Sequence, residues 1–141
     1  MKKLSIFLLA SLILLSLNAQ AKPVSEIDEV LECQQKHKNR MDYSVCLDNA
    51  LNKLDREMTT WETNLEFKLR ELSKATGRGD VLMVFKKSKD QFQKFRKVNC
   101  QWQYLAMLPD VGAAAAMVKE CKIQMVDDRI TKLSILSDME F

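Results

Sequence analysis

Four cysteines carry the most definite chemistry in this chain of 141 residues: Cys33, Cys46, Cys100 and Cys121. An even count of cysteines in an exported domain reads as disulfides. Zinc is a poor match, because the only histidine is His37 and no two cysteines form a Cys-x-x-Cys pair. Other chemistry is hard to assemble. His37 lies between Lys36 and Lys38, which suits a solvated side chain better than a general base. No Ser/His/Asp set forms around it. Asp127 and Asp128 are neighbours, and neighbours on a helix point apart, so paired-carboxylate glycosidase chemistry is unsupported. Nothing points to catalysis, a metal or a cofactor.

Two further patterns invite function and have plainer readings. Arg78-Gly79-Asp80 matches the tripeptide that integrin-type adhesion receptors recognise, but glycines that stop one helix and an aspartate that caps the next explain it as well. Lys86, Lys87, Lys89, Lys94, Arg96 and Lys97, interleaved with Phe85, Phe92 and Phe95, make a basic patch suited to an anionic surface. The same pattern describes the solvated side of an amphipathic helix.

The N-terminus has the parts of a secretion signal. Lys2 and Lys3 are followed by an uncharged, leucine-rich run from Leu4 to Leu17, and Ala19-Gln20-Ala21 offers small residues for cleavage. The run is short of the ~20 apolar residues that span a bilayer. Residues 1–21 are therefore expected to be a cleaved signal peptide and residues 22–141 a single helical domain, periplasmic or secreted, with no stable membrane insertion after cleavage. Losing Lys2 and Lys3 with the signal takes the formal charge from +3 to +1. That near-neutrality argues against nucleic acid as a partner. Three glycines and two prolines are too few for a fold with many tight turns.

The elements that must hold the cysteines are helices. Ser25 can cap a first helix, with Asp28 three residues on and the apolar set Ile27, Val30 and Leu31, running to about Lys38. Asp42 is a candidate cap for the second. Leu47, Leu51, Leu54, Met58, Trp61, Leu65, Leu69 and Leu72 then recur every three or four residues, a narrow seam of the kind used in bundles and in self-association. Gly77-Arg78-Gly79 ends that long helix and Asp80 can cap the third, whose stripe is Val81, Phe85, Ser88, Phe92, Phe95, Asn99 and Trp102, with Phe92 and Phe95 as large core residues. Pro109 and Gly112 break the chain again. Ala116, Ile123, Val126, Ile130, Leu133 and Leu136 carry the period to the end. The expected fold is all-α, a disulfide-stapled bundle of about four antiparallel helices, one very long.

Each cysteine pair straddles a break almost symmetrically. Residues equidistant from the turn of a helical hairpin come level, so 33–46 with 100–121 fits best. A 46–100 bridge would be centred several residues before Gly77, against the ~7 Å limit between Cα atoms. The pairing 33–100 with 46–121 would join sequence-distant helices and stays open at this level.

The stretch Phe92-Gln93-Lys94-Phe95-Arg96-Lys97-Val98-Asn99-Cys100, then Gly112, then Cys121-x3-Met125-x3-Arg129-x3-Leu133, with Cys33 and Cys46 upstream, resembles the lysozyme inhibitor LprI N-terminal domain-like family. Phe92 stands where that family usually has tryptophan, and Lys97 where it usually has an acid. The family's Leu-Asn-x-x-Tyr stretch has no clean counterpart around Met58-Thr59-Thr60-Trp61. The resemblance implies a small, exported, helical envelope protein that is not an enzyme and acts by protein–protein binding, on lysozyme or on another envelope or host protein. The alternative is a structural or adaptor module of the envelope with no lysozyme inhibition. Phe92, Arg96, Gly112, Arg129 and Leu133 are family-motif positions read as structural, with the two arginines bridging helices beside the Cys100–Cys121 staple. Host lysozymes are commonly basic, so an inhibitor should present acids. Glu26, Asp28, Glu29 and Glu32 are the candidate face. No loop is long enough to be an obvious plug.

Overall fold

The computed structural model describes residues 23–140. The expected signal peptide, residues 1–21, lies outside them. A short 3-10 turn, Val24–Glu26, leads into four helices: α1 Asp28–Lys36, α2 Arg40–Thr76, α3 Gly79–Ala106 and α4 Val111–Asp138. At 1.5 Å per residue α2 is roughly 55 Å long and α3 and α4 are roughly 42 Å. The expected all-α, disulfide-stapled architecture with one very long helix is what the chain adopts.

The chain runs up, down and up. α3 is antiparallel to both neighbours, so α2 and α4 are parallel, and they share the most extensive interface. The seam of α2 is used up inside the chain. Leu47, Leu54, Met58, Leu65 and Leu69 are all buried and share one core with Ile123, Val126, Ile130 and Leu133 of α4. That leaves the seam unavailable for self-association. α1 covers the first turns of α2 and adds Ile27, Val30 and Cys33 to the same core.

The helix starts differ from the sequence expectation in an instructive way. Ile27 is almost fully buried and takes an extended conformation, φ −72° and ψ 126°, at the head of α1. Anchoring it in the core interrupts the helix that Ser25 would have begun, and α1 has no side-chain cap. α1 also stops at Lys36 rather than Lys38, leaving His37 half-buried. α2 is capped by Asn39, whose Oδ1 accepts the Asp42 N–H at 2.8 Å. Asp42 is thus inside the first turn, not the cap. α3 starts at Gly79 with no capping side chain, and Asp80 lies in its first turn. Asp110 caps α4, accepting the Ala113 N–H at 3.0 Å. α2 ends on Gly77 at φ 72°, the left-handed conformation that glycine adopts without a Cβ penalty.

α3 departs most. No residue of its stripe is fully buried; the one buried residue of α3 is Cys100, beside the stripe. Val81, Phe85 and Phe92 pack against the core from its edge. Phe95 is 60% exposed and Trp102 59%, so neither is the core residue the stripe suggested. At the end of α4, Leu136 is 39% exposed while Ser137 is buried.

Candidate functional site

Both predicted bridges are formed: Cys33–Cys46 with Cα atoms 5.7 Å apart and Cys100–Cys121 with Cα atoms 5.6 Å apart. They staple the α1–α2 and α3–α4 hairpins near the same end of the bundle. Two arrangements build outward from them, a polar clasp in the middle of the bundle and a stapled tip.

The clasp gathers most of the motif positions. Arg96 lies one turn before Cys100 on α3, and its Nη1 donates to Asp55 Oδ1 of α2 at 2.5 Å. Arg129 lies two turns after Cys121 on α4, and its Nε donates to Glu62 Oε1 of α2 at 2.8 Å. Both guanidiniums lie over the ring of Phe92, Arg96 at 5.9 Å and Arg129 at 4.6 Å from its centroid. That stacking is a cation–π contact, strongest where water is excluded. Nη2 of Arg129 is buried without a hydrogen-bond partner among the described residues. Leu133, one turn further on, fills the core.

Glu62 is the centre of the clasp, with its side chain 6% exposed. Lys89 Nζ approaches Glu62 at 3.8 Å and Glu66 at 3.3 Å, and Lys86 reaches Glu66 at 3.3 Å. Burial pushes the Glu66 carboxyl up, but the bonds from Lys89 and Lys86 outweigh it and hold its pKa below the ordinary value. Three of the six basic residues in the sequence patch, Lys86, Lys89 and Arg96, are therefore consumed by acids of α2. Lys87, Lys94 and Lys97 remain on the exposed side. The acids Asp55, Glu62 and Glu66 were not singled out from the sequence. The signal was present for Glu62, which sits four after Met58 and three before Leu65, on the apolar seam itself.

The tip is made by the starts of α2 and α4. Arg40 Nη1 lies 3.0 Å from Asp110 Oδ1 and 3.1 Å from Oδ2. A Cβ on Gly112 would sit 3.5 Å from the Arg40 side chain, in ordinary van der Waals contact with it. The Ala113 N–H, and then Arg40, hold the Asp110 carboxyl below its usual value despite an opposing desolvation effect. Just below, Tyr43 Oη donates to Glu120 at 2.5 Å; burial, then that bond, pushes the phenol up to about 12. Lys119 donates to Ser44 Oγ and Asp48, both at 2.7 Å.

The remaining candidates come apart. Glu29 pairs with Lys53 at 2.8 Å and Glu32 pairs with Lys36, so these two acids of the candidate face are spent on lysines. Arg78 and Asp80 pair with each other at 3.4 Å across the start of α3. A groove of about 520 Å³ between α3 and α4 is lined by Phe85, Phe92, Phe95, Met125 and Leu133 among others. Among the described residues no group of His, Cys, Asp and Glu could hold a metal ion, and no helix is long and apolar enough to cross a membrane.

A family model described as lysozyme inhibitor LprI matches residues 32–133, from just before Cys33 to Leu133. No curated protein and no solved structure matches the chain.

Proposed function

Because the chain belongs to the lysozyme inhibitor LprI family, we propose that its mature form is an exported, non-enzymatic protein that binds and inhibits lysozyme. The observation that carries this is the extent of the match. It takes in both staples, the clasp and the tip. The N-terminal signal pattern and the two disulfides support a periplasmic or secreted location, where thiols oxidise and lysozyme is met. A rigid bundle suits binding, because a surface held before contact loses little freedom on association. Purified residues 22–141, oxidised, are expected to lower the turnover of a lysozyme at stoichiometric concentration. Unchanged turnover across several lysozyme classes at micromolar excess would remove the reading.

One observation favours a second reading, an envelope adaptor that self-associates. The outer side of α3 carries Phe95, Val98, Trp102 and Leu105 at intervals of three and four, each about 60% exposed. Such a stripe on a soluble domain marks a contact surface. Under this reading sedimentation shows a concentration-dependent dimer that Trp102→Lys abolishes. A monomer at every concentration sinks it.

A further inference from the structure

The stapled tip combines three properties. It is held from several sides: by Cys33–Cys46 and Cys100–Cys121 behind it, by Arg40–Asp110 across it, and by the Asp110 cap of α4 within it. It is apolar, with Met41 77% exposed, Leu108 45% and Val111 59%. It is also an end of the bundle, since residues 107–110 form a short link between two long helices. Arg40, next to Met41 in sequence, reaches Asp110 and Gly112 on either side of Val111, with its side chain 75% exposed. A guanidinium has five donors, and the Asp110 contacts are made through Nη1.

These are the features a plug for a glycosidase cleft requires. Such a cleft is concave and accepts sugar rings on apolar surfaces. It carries two carboxylates, about 5–5.5 Å apart in a retaining enzyme and ~6.5–9.5 Å in an inverting one. Arg40 stays paired with Asp110, and its guanidinium N–H groups other than those facing that carboxylate can donate to a cleft carboxylate. The other surfaces are less suited to a partner that is itself basic. The outer side of α3 adds Lys87, Lys94 and Lys97, and the acids of α1 are partly spent on lysines.

We propose that the end formed by Arg40, Met41, Leu108 and Val111 enters the substrate cleft of lysozyme, the apolar side chains occupying sugar subsites and Arg40 facing the cleft carboxylates. This rests on the inhibitor reading above and adds the surface that performs it. The absence of a long loop is then no obstacle, because the inserted element is a helix–helix corner made rigid by its staple.

The test measures inhibition of one susceptible lysozyme by oxidised residues 22–141 and by the variants Leu108→Asp, Arg40→Ala and, at the opposite end, Arg78→Ala. Leu108→Asp and Arg40→Ala are each expected to weaken inhibition at least tenfold while leaving the urea midpoint and helical circular dichroism as they are. Arg78→Ala should change nothing. An N-acetylglucosamine oligomer that fills the cleft should compete with binding of the wild-type protein. If the wild type inhibits but both tip variants inhibit equally well, or if the oligomer does not compete, the tip proposal is overturned and the inhibitor reading stands. If the wild type inhibits no lysozyme, both fall.

Discussion

Arg129→Ala is expected to destabilise the folded chain by about 3 kcal/mol, seen as a lower urea midpoint for unfolding. The size follows from what the change leaves behind. Glu62 has 6% of its side chain exposed and would lose its 2.8 Å partner, keeping only Lys89 at 3.8 Å. Removing one member of a buried ion pair leaves an uncompensated charge in low dielectric, whereas removing both can be close to neutral. The double variant Glu62→Leu, Arg129→Leu is therefore expected to recover most of the loss, since Lys89 still has Glu66. A double variant as unstable as the single one would mean that packing of the guanidinium on Phe92, rather than the stranded carboxylate, dominates.

The second large effect is removal of the bridges. Replacing Cys100 and Cys121 together by alanine, or Cys33 and Cys46 together, should each cost roughly 3 kcal/mol, since the two bridges span sequence separations of 21 and 13 residues. For a domain whose whole stability is of order 5–15 kcal/mol, each loss is a large share. The two losses should differ in kind. α1 is nine residues, too short to persist alone, and it is held by Ile27, Val30 and the Cys33 bridge. Without that bridge its amides should exchange hydrogen rapidly while α2 to α4 stay protected. Without Cys100–Cys121 the loss should appear in global unfolding. Equal exchange in α1 with and without the Cys33–Cys46 bridge would show that its core residues suffice.

These two predictions separate what local pattern carries from what assembly adds. Helix content and most breaks were legible, because each rests on neighbours within one or two turns: the three/four spacing from Leu47 to Leu72, the glycines at 77 and 79, the proline at 109. The disulfides were legible for the same reason, since a hairpin brings equidistant residues level and both pairs are centred on breaks. The caps were less so. Asn39 and Asp42 both suit a cap, and the choice between them turns on where the α1–α2 link closes. Ser25 lost its role because Ile27 gains more by burial than a capped turn would supply.

The site was half visible. Arg96 and Arg129 could be picked out, with a role bridging helices beside a bridge, but their partners could not. Asp55 and Glu62 lie 41 and 67 residues away in sequence from those arginines, and nothing local marks that distance. The tip was invisible, because Arg40 and Asp110 meet only when α2 and α4 start side by side.

The sequence by itself determined helices, breaks and staples, since periodicity and turn residues act over a few bonds. Only the tertiary structure decided which side of α3 is inside. That helix carries two apolar stripes, one through Phe85 and Phe92 and one through Phe95, Val98 and Trp102, and a helix's own period cannot choose between them. The choice was made by α2 and α4, whose acids and core residues together accept Arg96, Lys89 and Phe92 and leave the second stripe facing water.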